Sequence, residues 1–421
     1  MKIYDIAILG LGTVGGGTYR VIEKEQEQII KKEGFGINVK KVLALDYSVD
    51  IPEEKKAHSI DEIIEDPDIK VVCELIGGKT IAKDFIIKCL KAGKTVVSAN
   101  KELIAHSWGE IQNAAKESGA GFYFEASVGG GIPILRAVQE SLQANTINSI
   151  YAIINGTTNY ILSDMEDHNR DFDEVLKEAQ ALGYAEADPT SDIEAFDSTY
   201  KLSILSSMAF GVHIPIEKIY REGITRITGQ DMQIAHELGM TIKLLAIAKK
   251  NGNEVEARVH PTMIPLSHPI ASVKGVFNSI YLNGSAVGEL MFYGKGAGAF
   301  PTASSVVSDI IYAINMDRQH KYADYLDSDN TDVRFSTNWV SGYYLRFSVA
   351  DRPGVLAKIA GLMGKHNVGI ASVIQKGTAG DDVPLIFVTY DTAEEDLNAA
   401  LTEICLLDEV NEVSASIRVE Q

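Results

Sequence analysis

The sequence predicts an α/β protein in three parts: a doubly wound parallel sheet, a mixed α/β domain and a small βαββαβ unit. Three observations predict it. Apolar runs alternate with helical stretches from the first residues to about Glu125, a glycine cluster stands where the first run meets the first helix, and strand and helix patterns from Tyr343 to Val419 follow the order βαββαβ.

Residues 4–9 form an apolar run that ends in glycines, followed by a helical stretch over 14–32 and a second apolar run over 39–45. That is a strand, helix, strand unit. The pattern repeats with strands at 69–75, 95–98 and 121–125 and a helix at 84–92 closed by Gly93, so residues 1–132 read as a doubly wound parallel sheet of the Rossmann type. Beyond Pro133 the character changes. A strand at 150–155 precedes a long helical tract, 171–209, with a dense acidic cluster, and strand-like pieces at 241–249, 257–263 and 279–282 predict a mixed sheet for a second domain, 133–297. A helix capped by Thr302 follows at 303–315, and the polar stretch 318–341 reads as a linker. The remaining 342–421 form a ferredoxin-like unit, small enough to be a separate binding module.

At 421 residues and roughly 150 per domain, two or three domains fit. The balance of 39 basic and 58 acidic residues, net −19, repels phosphate backbones and excludes nucleic acid as a partner. No apolar run is long enough for a membrane span. The N-terminus MKIYDIAILGLG runs straight into a strand without the parts of a signal peptide, so a cytoplasmic protein is expected. Cys73, Cys89 and Cys405 lie far apart, which suits a reducing compartment and offers neither a zinc cage nor a reactive thiol. The histidines give no metal-binding spacing, and His58, His168 and His320 sit in polar surroundings that read as surface.

Gly10-Leu11-Gly12-Thr13-Val14-Gly15 follows a strand and opens a helix, the context in which Gly12 lets the backbone approach a pyrophosphate beside the helix N-terminus. Alone, such a string is often only a tight turn. The second strand ends at Leu45-Asp46; an acidic side chain there accepts hydrogen bonds from a ribose diol and repels a 2′-phosphate, which favours NAD over NADP, although NADP stays open. A solvated turn aspartate is the competing reading.

Reducing a carbonyl requires hydride at carbon and a proton at oxygen. The tract from Gly183 through Glu186, Asp188-Pro189, Asp192 and Asp197 to Lys201 holds the residues for it. Asp188-Pro189 reads as a helix start, and Asp197 and Lys201, four apart, share a helix face. The bland account is a helix ion pair worth roughly 0.3–0.5 kcal/mol. Lys101, in Ser98-Ala99-Asn100-Lys101, ends a strand at the edge where open sheets bind ligands. Glu125-Ala126-Ser127-Val128-Gly129-Gly130-Gly131-Ile132-Pro133 allows a sharp turn with carbonyls free for a ligand or ion, or a plain hinge.

The segments GLGTVGGG, SANKELIA, EASVGGGIPI, NGTTNYIL, GYAEADPTSDIEAFDSTYK and GAGAFPTASSVVSD, in this order, resemble homoserine dehydrogenases, which interconvert L-aspartate 4-semialdehyde and L-homoserine on the route to threonine, methionine and isoleucine. The resemblance runs over essentially the whole chain. It implies Lys201 as proton donor, Lys101 beside nicotinamide and substrate, Glu186 on the substrate amino group, and Asp192 and Asp197 completing the polar wall. It also implies a monovalent cation, sodium, on the backbone carbonyls of Glu125, Val128, Gly130 and Ile132. Gly298 would return to the cofactor, so that about 298–320 completes the first domain. Two departures stand out: Ala195 replaces a glycine, and Leu45 stands where NADP-using members often carry arginine, with Lys79 a possible compensating charge. A catalytically silent amino-acid sensor on the same fold is the alternative.

The last unit resembles an ACT domain, with Asp351-Arg352-Pro353-Gly354-Val355-Leu356 at its turn and Asn367 before its second strand. This implies a small amino acid, threonine, as effector at Asp351, Gly354, Val355, Leu356 and Asn367, or else a structural pairing unit. A homodimer or homotetramer is expected.

Overall fold

The structure is a computed structural model and describes residues 1–316, 332–375 and 382–420. Strands β1 (Lys2–Leu11), β2 (Phe35–Tyr47), β3 (Ile69–Glu74), β4 (Thr95–Ser98) and β5 (Phe122–Tyr123) form a five-stranded parallel sheet in the order β2-β1-β3-β4-β5. A parallel sheet covered on both faces needs unbroken apolar runs; Ile6, Ala7, Ile8 and Leu9 are accordingly buried in sequence. Helix Thr13–Glu33 follows β1, and helix Ala299–Asn315 returns to pack on it. The approach is close: a Cβ on Gly17 would lie 2.6 Å from the Ala299 carbonyl oxygen. This helix starts after Gly298 rather than at the expected Thr302, which falls inside it, because Pro301 is tolerated in a first turn.

The remaining strands are β6 (Ile147–Ile153), β7 (Tyr220–Arg221), β8 (Met240–Asn251), β9 (Glu254–Pro265), β10 (Phe277–Gly284), β11 (Gly288–Lys295), β12 (Arg334–Phe335), β13 (Val340–Ala350), β14 (Ile370–Gln375), β15 (Asp382–Thr389), β16 (Thr392–Ala393) and β17 (Val410–Val419). With helices Val355–Lys365 and Glu394–Ile404, β13, β14, β15 and β17 complete the expected βαββαβ order.

Two expectations change. The helical tract at 171–209 is broken into Phe172–Ala181, a single turn Thr190–Ile193 and Phe196–Phe210, with Gly183 (φ 75°) and Ala195 (φ 62°) left-handed at the breaks. Asp188 accepts bonds from the Thr190 amide (3.1 Å) and hydroxyl (2.6 Å), a local turn one residue before the N-cap Pro189 of the single turn, so it does not cap the helix carrying Lys201, and Pro189 stands at the cap rather than in the first turn. The C-terminal unit, expected to stand apart, joins the second sheet. β17 pairs in parallel with β9 through Arg418–Thr262 and Val419–Met263, and the described sheet runs β11-β10-β6-β8-β9-β17-β13-β15-β14.

Buried charge seals this junction. Fully buried Arg258 pairs with Glu420 and with Glu256 (2.8 Å), and Lys249 reaches Glu420 at 2.9 Å. Arg346 and Tyr344 bond Asp231 at 2.8 and 2.9 Å. Such groups hold only while each stays paired. Most of the expected linker lies outside the described residues; its end is built in, with β12 pairing β9 and Trp339 buried.

Cys73 and Cys89 are buried and Cys405 is exposed, all free. His58 and His168 are exposed, and His320 lies outside the described residues. Among the described residues no helix is long and apolar enough to cross a membrane, and no group of three or more His, Cys, Asp or Glu side chains is set to hold a metal ion.

Candidate active site

Leu11 at the end of β1 pairs with Tyr47 at the end of β2, which brings the glycine loop and Asp46 to the same carboxyl edge. Gly10 takes φ 89°, and a Cβ on Gly15 would lie 2.0 Å from the Gly10 carbonyl oxygen, so packing alone demands glycine at both. Gly12 differs. Nothing lies within 4 Å of its Cβ position, no side chain caps the helix that Thr13 and Val14 begin, and its first turn holds no acid. Open, uncapped amides at a long helix N-terminus fit a diphosphate. Asp46 is exposed beside Leu45, which is 99% exposed. Lys79, the possible compensating cation, is 2.9 Å from Glu102.

At the end of β4, Asn100 caps helix Lys101–Ser118 by accepting from the Leu103 amide (3.2 Å), which sets Lys101 at that same edge. The half-exposed Lys101 ammonium is 3.4 Å from Asp197 Oδ1. One turn along helix Phe196–Phe210, Lys201 Nζ donates to Asp197 Oδ2 at 2.6 Å and to the Ile154 carbonyl at 2.8 Å. The Asn155 amide donates to Asp197 Oδ2 (2.9 Å) and to Asp192 Oδ1 (2.7 Å). A single buried carboxylate therefore joins a lysine of the nucleotide domain to one of the second domain.

Burial alone would raise the Asp197 carboxyl, but Lys201 and then Lys101 overcome it and hold it well below the usual carboxylate range. Asp197 in turn holds the Lys101 ammonium above its ordinary value. Asp192 is pushed up, first by burial and then by Asp197. Glu186 stays outside this cluster, exposed on the 182–189 loop, whose backbone is fixed where Gln180 Nε2 donates to the Glu186 carbonyl at 3.1 Å.

Sequence reasoning missed Asn155 and the Ile154 carbonyl. The available signal was Asn155-Gly156 at a helix start, where Asn155 caps by accepting from the Thr158 amide (2.9 Å). It also missed Glu74, fully buried at the end of β3, which accepts from Ser98 Oγ (2.8 Å) and the Ile76 amide (2.9 Å) and is pushed up by burial.

In the 125–132 loop the Glu125 carboxylate is itself buried and accepts from the Leu135 and Arg136 amides at 2.9 and 2.8 Å. A Cβ on Gly130 would lie 2.3 Å from the Gly296 carbonyl oxygen, so close packing requires this glycine. The Gly130 carbonyl accepts from Ser305 Oγ (2.6 Å), that of Ile132 from the Ile134 amide (2.9 Å) and that of Glu125 from the Val128 amide (3.4 Å). Each carbonyl keeps a second lone pair for a hard cation.

In the C-terminal unit a cleft of about 340 Å³ is lined by Asp351, Gly354, Val355 and Leu356 together with Gln375 and Leu385. Gly354 (φ 96°) sits at the N-terminus of helix Val355–Lys365. Asn367 (φ 59°) stands past the other end of that helix and does not line the cleft.

The sequence matches the family descriptions "Homoserine dehydrogenase, NAD binding domain" over residues 10–125, "Homoserine dehydrogenase" over 133–311 and "ACT domain" over 343–405. A homoserine dehydrogenase from Pseudomonas aeruginosa is 43% identical, with 100% of both chains covered. The crystal structure of one from Thiobacillus denitrificans superposes with a TM-score of 0.93 at 41% identity, covering 100% of this chain and 99% of that one. A hyperthermophilic archaeal homoserine dehydrogenase in complex with NADPH superposes with a TM-score of 0.61 at 28% identity, covering 74% of this chain and 98% of that one. With its nucleotide-binding domain, its second domain and its ACT domain all matched in order, this chain belongs to the homoserine dehydrogenase family.

Proposed function

We propose that Lys201 is the acid–base residue of reversible hydride transfer between L-homoserine and L-aspartate 4-semialdehyde. The observation that carries this reading is the Asp197 carboxylate, which draws Lys201 and Lys101 together where the two domains meet. A bound reduced nicotinamide supplies the hydride. Lys201 holds a proton at the aldehyde oxygen as charge develops there and takes it back in the oxidative direction, while Asp197 and the Ile154 carbonyl fix its ammonium. Lys101 adds positive charge on the nucleotide side. Asp192 and Glu186 receive the substrate ammonium, with Glu186 reaching in from its loop.

Gly10, Gly12, Thr13, Val14 and Gly15 cradle the pyrophosphate, Gly298 closes the cofactor side, and Asp46 selects NAD over NADP by accepting from the ribose diol. A monovalent cation, sodium, sits on the carbonyls of Glu125, Val128, Gly130 and Ile132, a set of hard oxygen donors. Threonine is the effector, its carboxylate at the helix N-terminus after Gly354 and its ammonium near Asp351. The working unit is a homodimer or homotetramer in the cytoplasm, the compartment that suits three free cysteines. The test is nicotinamide reduction by L-homoserine with each cofactor, in sodium and in choline buffers, with and without threonine. Loss of turnover in Lys101→Ala and Lys201→Ala supports the pair; full turnover in both removes it.

A further inference from the structure

The helix that carries Asp197 and Lys201 begins after a left-handed alanine, an arrangement that persists only where neighbouring groups over-determine it. Those neighbours belong to one short segment, residues 220–225. Arg221 donates to the Glu194 carbonyl, and its guanidinium lies 3.5 Å from the centre of the Phe196 ring, the residue just before Asp197. The Ile224 amide donates to the Ile193 carbonyl at 2.9 Å, and Thr225 Oγ1 to Glu194 Oε1 at 3.3 Å. Gly223 presses so closely that a Cβ there would lie 2.4 Å from the Ile193 carbonyl oxygen. Residues 193, 194 and 196 are thus held from one side.

The other side of the segment is tied to β9 of the second domain and, through Arg418, to the C-terminal module. β7 pairs with β9, and the Glu222 amide donates to the Val259 carbonyl at 2.8 Å. The Glu222 carboxylate accepts from Arg418 on β17 at 3.1 Å, and the Arg418 guanidinium lies 4.5 Å from the Tyr220 ring centre. Arg418 is in turn anchored within the module by Glu394 at 2.6 Å.

We propose that residues 220–225 are a strap that positions the start of the catalytic helix, with Arg221 its principal positioning residue, and that Glu222 links the strap to the module's last strand. The proposal rests on the reading that Asp197 and Lys201 serve the reaction. A planar guanidinium stacked on one residue and bonded to another fixes both at once, which a flexible ammonium cannot do. Release of the turn lets Phe196 and Asp197 swing away from Lys101 and Asn155, and a displacement of about 1 Å near reacting groups can cost about a hundredfold in rate.

The test uses the full chain. In Arg221→Met, kcat is expected to fall about tenfold or more with the dissociation constant for the nicotinamide cofactor within about twofold of the parent, because the nucleotide site is untouched. Arg221→Lys is expected to recover little of the loss. Glu222→Gln, which leaves the Arg221 contacts in place, is expected to lower kcat by a few fold, and it reports on the strap if Arg221→Met fails to fold. Lys201→Ala is measured in parallel. Parental kcat in both strap variants beside an inactive Lys201→Ala overturns the strap alone. Parental kcat in Lys201→Ala overturns the site reading, and the strap's catalytic role falls with it.

Discussion

Asp197 Oδ2 and Lys201 Nζ lie 2.6 Å apart, one helical turn from each other, with only 6% and 10% of their side-chain surfaces exposed. On an exposed helix face the same spacing would contribute a few tenths of a kcal/mol. Here removal of Asp197 leaves the buried Lys201 ammonium with only the Ile154 carbonyl, at a typical cost of about 3–5 kcal/mol, whereas removal of Lys201 leaves the carboxylate still facing Lys101 and Asn155. The pair is therefore a poor device for stability alone, and its position between the two domains gives it a chemical use.

Asp197→Asn should separate these effects. Because Asp197 is the main cause of the raised Lys101 value, that ammonium titrates at higher pH than an ordinary lysine, and its added stabilisation, full below the ordinary value, is lost as pH rises through the raised one. Without the carboxylate the alkaline limb of the kcat profile should move to lower pH, together with a large fall in kcat. An unmoved alkaline limb in a folded variant would disconnect Asp197 from Lys101.

Ala195→Gly tests the turn that precedes the catalytic helix. A left-handed alanine costs about 1–2 kcal/mol, and the extra freedom of glycine in the unfolded chain returns about 0.4–1 kcal/mol of that. The variant should therefore be more stable by roughly 0.5–1 kcal/mol in urea unfolding, with kcat unchanged. A loss of stability would mean that packing of the buried Ala195 methyl outweighs the cost of its left-handed backbone.

Cofactor choice is read from Leu45 and Asp46. The parent should show the higher kcat/KM with NAD, and Leu45→Arg, whose side chain would enter open solvent, should move the ratio toward NADP. Comparison of the two ratios decides it; a parent that prefers NADP contradicts the role given to Asp46.

His260 offers a stability test of the junction with the C-terminal module. Burial, then Arg418 and Arg258, hold its imidazole well below the ordinary value of 6.5. A base depressed in the folded state stabilises the fold above its unfolded value and loses that contribution as pH falls below it, by at most about 1.4 kcal/mol per pH unit for one proton. Urea unfolding between pH 8 and pH 5 should show this slope, and His260→Gln should flatten it. An equal slope in both proteins would assign the acid sensitivity elsewhere.

The parts that follow from local pattern were legible in the sequence. The parallel sheet announced itself by apolar runs such as Ile6 to Leu9, the glycine loop by its place between strand and helix, and the Asp197–Lys201 pair by a spacing of four. What failed was non-local. Asn155 lies 42 positions before Asp197 and reaches it only through the fold. Arg258 and Lys249 look like the solvent-facing positions of alternating strands, yet they face Glu420 across a strand pairing between distant parts of the chain. The break at Ala195 was masked because alanine is a strong helix former; the family's glycine at that position was the one sign of its left-handed backbone.

Lys201 is the residue on which the chemistry of the site turns. Single-turnover reduction of L-aspartate 4-semialdehyde by Lys201→Ala, with cofactor affinity measured in the same preparation by nicotinamide fluorescence, isolates the proton-transfer step from binding. The expected result is a rate about 10²- to 10⁴-fold below the parent with cofactor affinity retained; a rate within a few fold of the parent would contradict the assignment.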